Sequence, residues 1–101
     1  MKLTNPNHIA ILAHLAVAKQ GLTFKEIKTK TSLTDGNLAS CNRSLEHENM
    51  IKVSKGFVGK HPYTLLTITR KGMNALIDYA DWFNRLIEDF EAIDSKIEVE
   101  S

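Results

Sequence analysis

The segment from Thr34 to Glu46, TDGNLASCNRSLE, decides the expected fold. It opens like a helix, because Thr34 can cap the free amides of a first turn and Asp35 suits the positive end of the helix dipole. One stripe recurs at the three- and four-residue spacing of a buried helix face: Leu38, Cys41 or Asn42, and Leu45. The opposite face carries small or polar side chains: Gly36, Ser40, Arg43 and His47. Such an outer face is typical of a helix that lies in a DNA groove.

A second capped helix precedes this segment. Thr23 to Glu26 matches a capping box, in which the Thr23 hydroxyl accepts from an amide three residues later and Glu26 reaches back. This helix is short and is expected to end near residues 31 to 33. Two short helices joined by so brief a turn indicate a helix-turn-helix.

The chain after Met50 changes to the two-residue period of β-strands. Ile51 and Val53 alternate with polar residues, and a β-rich run resumes at residues 63 to 68. The intervening residues 56 to 62 are predicted to form the tip of a hairpin. The expected fold class is therefore mainly α with a β-hairpin wing. This is a winged helix-turn-helix in the order helix, helix, helix, strand, strand, long helix.

The first and last helices contain more apolar residues than one core requires. The first, which begins at Asn5-Pro6 and ends before Gly21, has no formal charge between residues 7 and 18. Its predicted core stripe is Ile9, Leu12, Ala13 and Ala16.

The last helix, capped by Thr69, has two apolar stripes. One consists of Met73, Leu76, Ala80, Phe83, Ile87 and Phe90, and the other of Ala75, Tyr79, Trp82 and Leu86. A helix that is apolar nearly all round must be covered on more than one side. The sequence thus predicts a homodimer interface: Ile11, Leu15, Tyr79, Trp82, Leu86 and Phe90.

The length of 101 residues suits one domain, here predicted as residues 1–93 with an acidic, frayed tail at 94–101. Residues 1–67 hold nine Lys and Arg against four acids, a net charge of +5, whereas residues 68–101 hold four against eight, a net charge of −4. This asymmetry indicates that the basic body faces a polyanion.

Ten residues are predicted to contact double-stranded DNA: Thr34, Gly36, Asn37, Ser40 and Arg43 on the third helix, Lys25 and Lys28 on the second, and Lys55, Lys60 and His61 on the wing. Small residues let the helix approach closely, and Asn37 and Arg43 can bond to base edges or phosphates. The wing suits phosphate contact or insertion into a minor groove. Phe57 has two interpretations, packing beneath the wing or contact with DNA, and the first is favoured.

No metal site, cofactor or catalytic centre is expected. Cys41 is the single cysteine and the four histidines are scattered, which excludes an intrachain disulfide and a zinc cluster. Since no catalytic motif or Gly-rich phosphate loop occurs, the chain is not expected to be an enzyme.

The sequence has no apolar run near ~20 residues and no signal peptide. It therefore predicts no membrane partner and a cytoplasmic location. Cys41 is interpreted as a small buried residue, with a redox switch as the alternative.

Several motifs together resemble the small winged-helix transcriptional regulators related to the MarR group, over about residues 7 to 90. They are Phe24-x-Glu26-Ile27, Leu33 to Leu38, Leu45-Glu46, Gly59-Lys60-x-Pro62-x-Thr64, and Ile68-Thr69-x-x-Gly72 with Ala75-Leu76. The resemblance implies sequence-specific DNA binding as a homodimer, with dimer contacts from the first and last helices. Relatives usually carry His and a large apolar residue in place of Cys41-Asn42, and often Gly in place of Asn49.

The predicted function is that of a homodimeric transcriptional regulator that acts as a repressor. The third helix would lie in the major groove, and the wing on the flanking backbone or in the minor groove. The alternative is a winged helix used as a protein-interaction or assembly module, with the last helix as its working surface. A small-molecule effector is compatible with the sequence but not indicated by it.

Overall fold

A computed structural model of the chain describes residues 2–100. The elements in chain order are α1 (Pro6–Val17), β1 (Leu22–Thr23), α2 (Phe24–Thr31), α3 (Asp35–His47), β2 (Ile51–Val58), β3 (His61–Ile68) and α4 (Arg70–Glu100). The fold class and the order of the main elements are as the sequence predicts. Only the two-residue strand β1 is additional.

Side-chain caps determine where α1 and α2 begin. The Asn5 side chain accepts a hydrogen bond of 2.8 Å from the Asn7 amide, next to Pro6 in the first turn. At α2 the predicted capping box is present: the Thr23 amide donates to Glu26 Oε1 at 3.0 Å, and the Glu26 amide donates to Thr23 Oγ1 at 3.2 Å. Hydrogen bonds from the Thr23 backbone and side chain lower the pKa of the Glu26 carboxyl. Local sequence therefore determines both helix starts.

The three strands form an antiparallel sheet in the order β1-β3-β2. Val58 pairs with His61, so the turn of the hairpin consists of Gly59 and Lys60 alone. Gly59 has a φ of 64°, which suits the first central position of a two-residue hairpin turn. The predicted tip at residues 56 to 62 is therefore corrected to these two residues.

The hairpin is longer than expected because both strands continue through residues that usually interrupt strands. Pro62 pairs with Phe57, and it is tolerated because β1 reaches β3 only at Leu65 and Leu66. At Pro62 the other edge of β3 is therefore open, and the missing amide costs no ladder bond. Gly56 likewise lies within β2, opposite Tyr63.

The core lies where α1 packs against α2, α3, β3 and α4. Its fully buried side chains are Ile11, Leu12, Leu15, Ile27, Leu38, Leu45, Met50 and Leu66. The buried stripe of α1 is His8, Ile11, Leu12 and Leu15 rather than the predicted Ile9, Leu12, Ala13 and Ala16. Because four elements of the same chain surround α1, one chain already covers the side that the sequence assigned to a partner.

α4 is much longer than the body against which it packs. Its 31 residues span about 46 Å at the helical rise of ~1.5 Å per residue, and the whole chain measures 64 × 26 × 23 Å. Ala75, Leu76 and Tyr79 pack against the core, whereas most apolar residues after them are exposed. The helix continues to Glu100 through the segment predicted as a frayed tail, and Ser101 lies outside the described residues.

Four residues join the end of α3 to the start of α4, and we call them the α3–α4 joint: Asn49, Met50, Thr69 and Gly72. Thr69 Oγ1 donates to the Asn49 carbonyl at 2.6 Å and accepts from the Gly72 amide at 3.0 Å, while the Thr69 amide donates to the Met50 carbonyl at 3.0 Å. Asn49 has a φ of 60°, in the left-handed region that asparagine adopts more readily than most residues. A β-carbon at Gly72 would collide with the Met50 carbonyl oxygen.

Candidate nucleic-acid interface

The outer face of α3 is exposed along its whole length. The helix begins at Thr34, whose hydroxyl accepts from the Asn37 amide at 3.2 Å. All five residues predicted on this helix are exposed: Thr34, Gly36, Asn37, Ser40 and Arg43. The opposite face is buried and consists of Leu38, Cys41, Asn42 and Leu45. Burial of that stripe therefore fixes which side of α3 remains accessible.

Gly36 is not required by packing within the chain. Apart from its neighbours in the helix, a β-carbon at this position would have no atom within 4 Å, and the backbone there is helical. A glycine in a helix costs about 0.5–1 kcal/mol relative to alanine. Its absence of a side chain thus leaves the first turn of α3 open to close approach from outside.

An ion pair connects α2 to the start of α3. Lys28 Nζ lies 2.7 Å from Asp35 Oδ1, with both side chains substantially exposed. Lys28 is near the C-terminus of α2 and Asp35 is in the first turn of α3, so each charge also suits its helix dipole. A phosphate approaching Lys28 would have to compete with Asp35. Lys25, by contrast, is exposed on the first turn of α2.

The wing exposes all three of its predicted contact residues. Lys55 lies on β2, Lys60 is in the turn, and His61 begins β3. The favoured interpretation of Phe57 is wrong: its side chain is 72% exposed, because the hairpin extends beyond the body that would have covered it. The adjacent Val58 is 70% exposed.

Three polar or reactive groups are buried near the core rather than at the interface. Burial raises the pKa of the Cys41 thiol and so disfavours the reactive thiolate. Within the described part of the chain, Asn42 Oδ1 and His8 Nδ1 are buried without a hydrogen-bond partner. Burial also lowers the pKa of His8. These groups contribute no accessible chemistry to the outer face of α3.

The residues predicted at a dimer interface fall into two groups. Ile11 and Leu15 are completely buried within one chain, so their assignment to an interface is corrected to the core. Tyr79 is half-buried against that core, whereas Trp82 and Phe90 on α4 are exposed by 47% and 54%. Leu86 is partly exposed. The sequence did not single out two further exposed apolar residues for this face, Phe83 and Ile93, and the exposed Ile77 lies on the other side of α4.

An aromatic cluster occupies the middle of α4. The rings of Tyr79 and Phe83 are nearly parallel, with centroids 5.9 Å apart. The ring centroids of Tyr79 and Trp82 are 5.8 Å apart. Tyr79 and Trp82 also line a cleft of about 690 Å³ between α4 and the N-terminal segment, where Leu3 is buried. The periodicity of α4 predicted this aromatic surface, but nothing in residues 2 to 4 predicted their contact with it.

No group of three or more His, Cys, Asp or Glu side chains could hold a metal ion in the part of the chain that is described. In that same part, no helix is both long enough and apolar enough to cross a membrane.

The fold and part of the sequence match known proteins. A family model described as a winged helix DNA-binding domain matches residues 8–87. A transcriptional regulator homologue from Pyrococcus horikoshii is similar in structure, with a TM-score of 0.75 and 28% identity over 85% of this chain and 84% of the other. A sequence search of curated proteins gave no significant match.

Two more distant structures share the fold. The regulator PcaV from Streptomyces coelicolor, solved with its natural ligand, has a TM-score of 0.75 and 20% identity over 88% of this chain. ZitR from Lactococcus lactis, a zinc-responsive MarR family member, has a TM-score of 0.69 and 19% identity over 95% of this chain. The chain spans 62% of the length of PcaV and 64% of that of ZitR.

Proposed function

Because the chain belongs to the winged helix DNA-binding domain family, we propose that it is a transcriptional regulator that binds double-stranded DNA sequence-specifically as a homodimer. The observation that carries the proposal is the exposure of Gly36, Asn37, Ser40 and Arg43 on one face of α3, opposite a buried stripe. This face would lie in the major groove, where Asn37 and Arg43 are long enough to bond to base edges.

Electrostatics support the same orientation. The positive net charge lies in residues 1–67, which contain α3 and the wing, and the negative net charge lies in α4 and its flanks. Phosphates would therefore attract the body and repel α4. Lys25, Lys55 and Lys60 are exposed cations that suit contact with the flanking backbone.

The exposed side of α4 supports the proposed homodimer. Trp82, Phe83 and Phe90 on one side of this helix are each more than a third exposed in the single chain. An apolar surface of this kind is typical of a protein–protein interface. Two-fold pairing through α4 would present two copies of α3 to one duplex, about one helical turn or ~34 Å apart.

We further propose that the regulator acts as a repressor. A dimer bound at a promoter blocks access to that promoter. DNA binding alone is therefore sufficient for repression. A regulator with the proposed function must be in the compartment that contains DNA. This requirement agrees with the cytoplasmic location expected from the sequence.

The first test is selection of bound duplexes from a random pool, followed by anisotropy titration of the selected duplex at several salt concentrations. We expect a site with two-fold symmetry and an affinity that falls steeply with salt, because several phosphates are contacted per chain. Failure to bind any duplex at low salt would contradict the proposal.

Arg43→Ala tests the orientation of α3. If Arg43 contacts a base, the variant should bind the selected duplex about 5- to 100-fold more weakly and lose discrimination at one position. Arg85→Ala is the matched control, because it removes the same charge from an exposed position on α4. Equal affinities for the two variants would place the binding surface elsewhere.

The exposed apolar side of α4 also favours a second candidate function, that of a protein-interaction module. Under that function, a partner protein would bind α4 and the chain would have no preferred duplex. Arg43→Ala would then leave partner binding unchanged, whereas substitution of Phe90 would abolish it. The selection experiment distinguishes the two functions, because only the first yields a common site.

A further inference from the structure

The wing ends in an exposed apolar tip. Among the residues whose burial the structure describes, Phe57 and Val58 are the most exposed large apolar residues after Val17. The strand register places Pro62 directly opposite Phe57, and opposite residues share one face of the sheet. Single exposed apolar residues are ordinary, but several together at the end of a projecting hairpin indicate a contact surface.

The tip extends well away from the core. Ile51 and Leu66 are buried at the base of the hairpin, Val53 is half-buried, and residues 57 to 63 are exposed. The four residues from Lys55 to Val58 therefore project by about 13 Å, at the strand rise of ~3.3 Å per residue. A partner could reach the tip without disturbing the body.

The tip is also narrow and braced. The turn has only two residues, and a β-carbon at Gly56 would lie 2.9 Å from Tyr63 Oη, so the Tyr63 side chain lies directly over the Gly56 backbone. The two strands are about 4.8 Å apart, whereas the minor groove of B-DNA is about 6 Å wide. The backbone at the end of the hairpin is therefore narrow enough for the opening of that groove. The hairpin with its side chains is wider than the groove.

The charge of the hairpin indicates which partner it meets. Residues 51–68 contain three lysines and one histidine but no Asp or Glu. Such a segment favours a polyanion over an apolar or basic protein surface. Phosphates can satisfy Lys55 and Lys60 but gain nothing from Phe57, so in a complex with DNA this ring would contact sugars and base surfaces instead.

We propose that Phe57 is an apolar wedge: when α3 occupies the major groove, the wing tip enters the adjacent minor groove and Phe57 partly unstacks one base step, which bends the duplex. The inference rests on the proposed DNA binding and adds a determinant of specificity to it. Flexible pyrimidine–purine steps, such as TA, unstack most easily and should be enriched beneath the wing.

The test uses the selected duplex with a fluorescent adenine analogue placed at one flanking position at a time. Emission of this analogue rises when it is unstacked. The wild-type protein should raise the emission at one position in each half-site. Phe57→Ala should abolish the rise and weaken binding about tenfold, because the apolar contact is lost. Since Phe57 is exposed, thermal unfolding of the variant should match that of the wild type.

Lys60→Ala is the control at the same tip. It removes a phosphate contact, so it should weaken binding and lower the salt slope by about one while the emission still rises.

Each remaining outcome has a distinct meaning. If the wild type binds no duplex, the proposed function fails and the wedge fails with it. If the wild type binds but Phe57→Ala binds equally well with the same emission, only the wedge is overturned. If Phe57→Ala changes the mass of the oligomer and not the emission, the tip contacts a second copy of the chain, which also overturns the wedge.

Discussion

Gly36 shows at the scale of one residue how the free chain and the proposed complex impose different requirements. In the free chain a methyl group at this position would meet no atom within 4 Å beyond its neighbours in the helix, so glycine only weakens the helix. In a complex, the first turn of α3 would face the duplex, where a methyl group would hold the helix away. The residue that is unfavourable for folding is therefore the one expected to favour binding.

Substitution of Gly36 should separate these two effects. Gly36→Ala is expected to raise the free energy of unfolding by up to about 1 kcal/mol, because alanine favours the helix. The same change should weaken binding to the selected duplex, and Gly36→Leu should weaken it further. Denaturant unfolding and anisotropy measure the two quantities. An unchanged affinity in both variants would mean that the start of α3 does not approach DNA.

Single residues also show where sequence periodicity fails to predict which side chains are buried. The three- and four-residue spacing placed Leu38 and Leu45 in the core, because only one face of α3 has large apolar side chains. The same rule failed for α1, whose apolar residues surround most of the helix, so that several stripes were equally plausible. The burial of His8 was not predicted either, since a titratable side chain usually remains near water.

The α3–α4 joint shows at the scale of elements which contacts local sequence predicts and which it does not. Local caps predicted every helix start, and Thr69 was expected to cap the last helix. Its bond to the Asn49 carbonyl, however, joins residues 20 positions apart and cannot be read from local sequence. The length of the hairpin was underestimated for a similar reason. Whether a strand tolerates Pro62 depends on how far β1 extends along its other edge.

Gly72→Ala tests the close approach at this joint. The added β-carbon would collide with the Met50 carbonyl oxygen, a backbone atom that cannot rotate away. We expect the free energy of unfolding to fall by about 1–3 kcal/mol, as for other overpacked sites. Gly36→Ala is the matched control, because the same substitution there should stabilise. Denaturant midpoints of the two variants should shift in opposite directions, and a shift of the same sign would contradict the model of the joint.

The whole molecule is an elongated particle in which a body carries the candidate DNA surface and α4 carries an apolar side. The change of net charge near residue 68 predicted the basic body, and the apolar spacing of the last helix predicted its apolar side. The sequence could not show which apolar residues one chain would bury, because this depends on how α1 lies among its neighbours. It therefore assigned Ile11 and Leu15 to a partner, whereas the structure buries both within one chain.

Phe90→Glu tests pairing through α4. Phe90 is 54% exposed and lies beyond the part of α4 that packs on the core, so the variant should fold normally. A charge at the centre of an apolar interface should convert dimers into monomers, measured as molar mass by light scattering during size-exclusion chromatography. Ile77→Glu is the control, because Ile77 is 46% exposed but lies about 140° around the helix from Phe90. Dimers in both variants would locate the interface elsewhere.

The α3–α4 joint has a consequence for the spacing of DNA half-sites. The joint connects the segment just after α3 to the start of α4. In a pair formed through α4, the distance between the two α3 helices would therefore depend on where along α4 the chains cross. Moving that crossing by seven residues, about 10 Å along the axis, would change the separation without altering any residue that contacts DNA. The position of the crossing along this one long helix would then select which spacings of a repeated DNA sequence the pair can occupy.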